Sequence, residues 1–200
     1  IPNGIDEFWI ENTPMPKKKN PKTKDIHLVY AGKINKNKNI PTIQAAVNIL
    51  NKEGFNTSLT VVGNVEDSKE FNKIQKDRNT VYFSARPKES LINLYRENDI
   101  FVMPSFKETF GLVYAEAMSQ GLPVIYSEGQ GFDGQFPEGE IGFHVKSNSA
   151  EDLCDKIKKI ILLYDELSIR ARESAKKFSW TSITEEYARL YDTISEAYIK

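Results

Sequence analysis

The chain reads as an α/β domain in which helices cover both faces of a parallel sheet. Two observations predict this. Apolar runs of strand length are continuous, as in Ile26-His27-Leu28-Val29-Tyr30-Ala31 and Asp99-Ile100-Phe101-Val102-Met103, and continuous runs mark strands buried on both faces. Single segments of helical periodicity separate them, the alternation that builds parallel sheets. Right-handed crossovers then give a doubly wound, Rossmann-like domain whose ligand sits outside the carboxyl ends of the strands.

The elements follow in order. After the first strand, Gly32 ends the run and Ile40, Ile43, Val47 and Leu50 recur at helical spacing over 39–52, with Pro41 suited to a first turn. Leu59-Thr60-Val61-Val62 is a strand, 67–77 a polar helix, and Val81-Tyr82-Phe83 a strand. Residues 87–98 are helical, with Leu91, Leu94 and Tyr95 on one face. Asp99 to Met103 is the next strand, stopped by Pro104, and 112–120 a short helix closed by Gly121. Strands at 122–126 and 141–145 complete the sheet. Ser149-Ala150-Glu151-Asp152 resembles a capping box for a helix through Leu163. Two more helices end the chain, the last expected to be capped by Ser182 with Glu185 and to run to Ile199.

Residues 1–25 read as a hinge segment and surface loop, 26–178 as the Rossmann-like domain, and 179–200 as a terminal helical segment. Ile1-Pro2-Asn3-Gly4-Ile5-Asp6 carries an Asn-Gly turn signal and reads as mid-chain sequence, so the chain is expected to be a piece of a longer protein. Residues 12–25 hold three prolines and five lysines and are expected to stay a solvated loop, or to touch anionic lipid head groups.

Composition excludes several classes. Over 200 residues, 40% are hydrophobic and 28% charged, ordinary values for a globular domain. The net charge of −1 gives no reason to expect a nucleic-acid partner. Cys154 is the single cysteine, which leaves no internal disulfide framework and fits a reducing cytoplasm. No apolar run approaches the roughly 20 residues of a membrane span. There is no Asp-x-Asp and no His/Cys cluster, so no metal is expected. His27 and His144, in or beside strands without a partner at ligand spacing, read as structural. Cys154, Trp180 and Tyr187 read as packing residues, and Ile183, Tyr187, Leu190 and Ile194 form a helical stripe that a missing partner domain would cover.

Two loops at the ligand end carry the chemistry. In Pro104 to Met118, Glu108 precedes a helix start formed by Phe110, Gly111 and Leu112, whose free amides and positive dipole end suit a phosphate. Gly111 permits close approach of a ligand, and Glu116 lies about one turn into the helix. Two such carboxylates are able to accept bonds from two sets of sugar hydroxyls. Acidic residues near a helix start are equally explained by the dipole alone. In the loop Gly32-Lys33-Ile34-Asn35-Lys36-Asn37-Lys38-Asn39, lysines near a helix start suit a diphosphate, or form a plain solvated loop. Neither a phosphate-loop motif nor a dinucleotide fingerprint is present; Gly129-Gln130-Gly131 lacks the third glycine.

These motifs together resemble the C-terminal domain of retaining GT-B glycosyltransferases of family 4, the group-1 glycosyltransferase domain. Glu108 and Glu116 match the family's E-x7-E pair, followed by Glu116-Ala117-Met118 and Gly121-Leu122-Pro123-Val124-Ile125. Gly32-Lys33 with Lys38-Asn39 matches the Gly-Arg…Lys-Asn loop, and Val62-Gly63, Pro104-Ser105 and Phe178-Ser179-Trp180 also fit. The resemblance covers essentially the whole chain in order.

The resemblance implies the following. Glu116 accepts bonds from a ribose diol, and Glu108 contacts the donor sugar near its anomeric centre. Lys33 and Lys38 bind the diphosphate with Gly32 and the amides of Phe110, Gly111 and Leu112. Ala85, Arg86 and Pro87 lie against the nucleobase. Lys33 stands where the family has arginine, which keeps the charge but loses the bidentate fork. The donor is a nucleoside-diphosphate sugar, no cofactor is used, and transfer retains anomeric configuration. Acceptor binding belongs to an absent N-terminal domain, so the isolated chain is expected to catalyse little. The family's range points to bacterial surface polysaccharide such as capsule or lipopolysaccharide, with the protein cytoplasmic and in peripheral contact with the membrane. Two other classes fit the same residues: a nucleotide-sugar-binding module without catalysis, and a GT-B-like sugar-nucleotide epimerase. The resemblance implies no donor-specific role for the Glu128–Gly134 loop.

Overall fold

A computed structural model describes residues 1–198 of the chain; Ile199, the expected end of the last helix, lies outside the described residues. In chain order the elements are α1 (Glu7–Glu11), β1 (Asp25–Ala31), α2 (Ile40–Lys52), β2 (Asn56–Val62), α3 (Ser68–Ile74), β3 (Thr80–Phe83) and α4 (Lys88–Glu97). There follow β4 (Ile100–Val102), α5 (Leu112–Ser119), β5 (Val124–Ser127), β6 (Gly142–Val145), α6 (Ala150–Leu162), α7 (Tyr164–Ala175) and α8 (Trp180–Tyr198). Six strands form one parallel sheet in the order β3-β2-β1-β4-β5-β6. Strand order reverses between β1 and β4, which are neighbours in the sheet. This is the topological switch point, where open α/β sheets hold their ligands.

The central strands are apolar on both faces because both are covered. Leu28, Val29 and Tyr30 of β1 and Ile100, Phe101 and Val102 of β4 are all fully buried. Helix α2 packs on α6 and α3, and α5 packs on α7 and α1. Helix α2 turns Ile40, Ile43, Val47 and Leu50 inward at the spacing its sequence shows.

Several local expectations are corrected. The first 25 residues contain a helix: Asp6 caps α1 by accepting from the Phe8 amide, and Trp9 is buried within it. The lysine-rich stretch is docked rather than loose. Lys19 pairs with Asp99 at 2.7 Å, Lys17 donates to the Asn98 carbonyl, and Arg172 donates to the Pro14 carbonyl at 3.2 Å. Charge pairing onto the edge of the β4 region supplies the order that its apolar content does not. The helix expected over 67–77 ends at Ile74, and the strand expected from Leu122 begins at Val124. The cap of α8 is Ser179, whose Oγ accepts from the Ser182 amide at 3.1 Å, so Ser182 sits inside the first turn. Ile5 bridges Ser179 and donates its amide to Phe178 at 2.8 Å, tying the start of the chain to the entry of α8.

Candidate functional site

The loops after β1, β2, β3 and β4 open onto two adjoining cavities at the carboxyl edge. One, of about 250 Å³, is lined by Gly32, Lys33, Gly63, Asn64, Ala85, Arg86, Leu91 and Val113. The other, of about 370 Å³, is lined by Asn3, Gly32, Lys33, Lys38, Glu108, Thr109, Phe110, Gly111, Leu112 and Val113. Gly32, Lys33 and Val113 belong to both, so the two form one cleft across the switch point.

The loop after β1 is built by its asparagines. Asn35 caps a single 3₁₀ turn, Lys36–Lys38, by accepting from the Lys38 amide. Asn37 stitches this turn to the loop after β4: its side chain donates to Lys107 O at 2.8 Å and accepts from Lys107 N at 3.0 Å. Asn39, left-handed at φ 53°, is buried and donates to the Pro104 and Ser147 carbonyls. Left-handed geometry is open to asparagine at little strain.

This bracing presents Lys38 to Glu108. Their Nζ–Oε2 distance is 2.5 Å, with 17% and 12% of the side chains exposed. The other carboxylate oxygen of Glu108 accepts from the Thr109 amide at 3.1 Å. Next to them, α5 starts at Leu112 after Gly111 (φ 76°), and no side chain among the described residues caps it. A Cβ on Gly111 would lie 2.6 Å from the Tyr114 ring, so both the conformation and the space require glycine. The Leu112 and Val113 amides have no backbone partner, the Tyr114 amide being the first to bond back, to the Gly111 carbonyl at 2.9 Å, and both residues line the larger of the two cavities. A cation, a carboxylate and an open helix N-terminus therefore meet in one partly buried place.

The structure brings some of the residues singled out in the sequence together and sets others apart. Lys33 lines the cleft, but its ammonium is exposed and pairs with Glu66 at 2.7 Å rather than converging with Lys38. That contact raises the Lys33 pKa and, reciprocally, lowers that of Glu66. Ala85 and Arg86 line the smaller cavity; Pro87, the N-cap of α4, is not among its lining residues. The Phe110 side chain packs against Phe132 and Phe178, which leaves its backbone for the cleft. Glu116 lies one turn beyond Val113, outside the lining of either cavity. Burial, with the Asp6 charge second, pushes its pKa up to about 7.

Asn3, Asn64, Leu91 and Glu66 were not anticipated. Asn64 follows β2 at the ligand edge, which was the signal available for it. His144 is not isolated as its sequence position implied: Nδ1 is 3.2 Å from Asp133 Oδ1, and Nε2 is 3.6 Å from Glu138 Oε2. His27 is structural, bonded to Ser58 at 2.9 Å. Cys154 is a packed thiol, its pKa raised to about 11 by burial. Trp180 packs over Gly4, yet it and Tyr187 remain about half exposed. Among the described residues no His, Cys, Asp and Glu cluster is placed to hold a metal ion, and no helix is long and apolar enough to cross a membrane.

The parallel six-stranded sheet, with its ligand edge at the switch point, is that of a Rossmann-like half of a GT-B glycosyltransferase. Residues 11–178 match the model of the family Glycosyl transferases group 1, and the chain belongs to that family. It is 28% identical over 203 residues to the capsular polysaccharide biosynthesis glycosyltransferase CapM of Staphylococcus aureus, a match covering 96% of this chain and 53% of that protein. The chain thus spans about half the length of this relative. Sucrose-phosphate synthase from Thermosynechococcus elongatus superposes with a TM-score of 0.75 at 23% identity, covering 98% of this chain and 52% of that one. Anabaena HepE, solved with UDP and glucose, superposes at 0.73 and 17% identity over 85% of this chain and 49% of that one. These two likenesses speak for the fold.

Proposed function

We propose that the chain is the donor-binding half of a retaining glycosyltransferase that takes a sugar from a nucleoside-diphosphate sugar. The observation that carries this reading is the Lys38–Glu108 pair beside the uncapped start of α5, inside the cleft at the switch point. Cleaving a sugar–diphosphate bond builds negative charge on the leaving group and oxocarbenium character on the sugar. Lys38, Lys33 and the amides from Phe110 to Leu112 would neutralise the first, with Gly32 allowing close approach. Glu108 would orient the sugar's hydroxyls and face the second. Glu116 would accept from the ribose diol, and the base would lie between Ala85, Arg86 and Leu91. On this reading no metal or cofactor takes part, and the acceptor attacks from the leaving-group face.

The rest of the activity falls to sequence outside this chain. Residues 1–25 would form the hinge segment and 179–200 a helical return to an acceptor-binding domain, with the exposed face of Tyr187, Leu190 and Ile194 turned to it. Without that domain, the chain would bind donor and turn over little. The similarity to CapM supports a place in bacterial surface polysaccharide synthesis. Any peripheral membrane contact would come with the acceptor side. Titration calorimetry with ADP, GDP and UDP tests the reading: one of them is expected to bind, and no binding at millimolar concentration would overturn it.

A further inference from the structure

The Glu128–Gly134 loop, between β5 and β6, holds the backbone of Glu108 from both sides. The Gln130 side-chain oxygen accepts from the Glu108 amide at 3.0 Å, and the Gly131 amide donates to the Glu108 carbonyl at 3.1 Å. Glu108 itself lies in an irregular turn between β4 and α5, with no ladder of its own to fix it. Gly131 packs against that turn so closely that a Cβ would fall 1.5 Å from the Thr109 carbonyl oxygen.

The loop is rigid enough to act as a brace. Asp133 accepts from the Gly129 amide and donates its own amide to the Gln130 carbonyl, both at 2.7 Å. Phe132 is buried, with its ring 4.6 Å from that of Tyr114 and 5.4 Å from that of Tyr126. Gln130 thus stands between two anchored neighbours and faces Glu108 from the loop that follows β5.

We propose that Gln130 is a positioning residue for Glu108, and that through it the Glu128–Gly134 loop sets which sugar the site accepts. This rests on the donor-site reading above. Lys38 holds one carboxylate oxygen and the Thr109 amide the other, so the carboxylate's direction follows the turn whose backbone Gln130 and Gly131 hold. Releasing the Glu108 amide would leave a half-buried donor unmatched and let the carboxylate drift. The part of the ligand affected is the sugar, because the diphosphate meets Lys38 and the α5 amides instead.

Calorimetry on the protein with ADP, GDP and UDP, and with each carrying a diphosphate-linked glucose, galactose or N-acetylglucosamine, separates the outcomes. Gln130→Met removes the acceptor at nearly constant volume. Measured well below its unfolding midpoint, which the unmatched Glu108 amide should lower, the variant should keep nucleoside-diphosphate affinity within about twofold and reduce the sugar's added affinity by about fivefold or more. Equal losses on both ligand classes, or no loss at all, overturn the inference while leaving the donor site standing. A wild-type protein that binds no nucleoside diphosphate overturns the donor-site reading and this inference with it. One that binds them but gains nothing from any of the sugars overturns the placement of the sugar at Glu108.

Discussion

The ammonium of Lys38 stands 2.5 Å from the Glu108 carboxylate, joining the loop after β1 to the loop after β4 across the point where strand order reverses. Neither charge is far into solvent, so each is the main compensation for the other. Breaking one side of such a pair leaves an uncompensated charge, which is worse than removing both. We expect Lys38→Met to destabilise the protein by about 1–3 kcal/mol, and Lys38→Met/Glu108→Leu to recover at least about 1 kcal/mol of that. Urea unfolding of the double-mutant cycle measures the coupling; strictly additive effects would contradict it.

Glu116 predicts a pH-dependent stability. Its folded pKa is raised to about 7, first by burial and then by Asp6, above the ordinary carboxylate value of 4.5. The folded state therefore binds its proton more tightly than the unfolded state does. The sign follows: Glu116 favours folding least where it must ionise inside the protein, and stability falls as pH rises from about 4.5 to 7. Glu116→Gln keeps the shape without the charge. It should be more stable than wild type by up to about 3 kcal/mol at pH 8, and by less than about 1 kcal/mol at pH 5. Thermal unfolding at the two pH values gives the comparison, and a difference that does not change with pH would refute the assignment.

The sheet was largely legible because its signals are local. Continuous apolar runs marked β1, β2 and β4, and a polar helical segment marked α3. The positions of Lys38 and Glu108 were legible for a related reason: both occupy loops that the strand order sends to one edge. What the sequence hid are bonds between loops. Glu66 claims Lys33, Asn37 stitches to Lys107, and Gln130 holds Glu108 across 22 positions. Such contacts depend on which strands end up side by side, and they leave no periodic trace. Helix α1 was missed because five residues are too few to show a period, although its Asp6 cap was present. Pro87 is the N-cap of α4, one residue past the cavity lining that Ala85 and Arg86 share.

Gly111 predicts a local failure with a functional signature. An alanine there must hold φ near 76° and place its Cβ 2.6 Å from the Tyr114 ring. The left-handed conformation alone costs an L-residue roughly 1–2 kcal/mol. Tyr114 cannot easily yield, since it is buried and its hydroxyl donates to the Met103 carbonyl at 2.7 Å. Gly111→Ala should therefore shift the start of α5, lower the unfolding midpoint, and weaken nucleoside-diphosphate binding more than the stability change alone explains. Binding measured well below the new midpoint separates the two effects; unaltered affinity would show that the helix start does not meet the phosphates.

Glu66 pairs with Lys33, a cation in the lining of the cleft. Its carboxylate is 2.7 Å from Lys33 Nζ and also accepts from Asn35 Nδ2 at 2.9 Å, both in exposed surroundings. Exposed pairs are weak and screened, so Glu66→Gln should leave the unfolding midpoint nearly unchanged. The same substitution removes a negative charge from the mouth of the cleft and frees Lys33 to turn toward a diphosphate. Nucleoside-diphosphate affinity should then rise by about two- to fivefold at low salt, and the gain should shrink as ionic strength increases. Lys33→Ala should abolish the gain in the Glu66→Gln background. A gain that survives the loss of Lys33 would mean that the removed charge acted on the ligand directly, and Lys33 would lose its place beside Lys38 in the site.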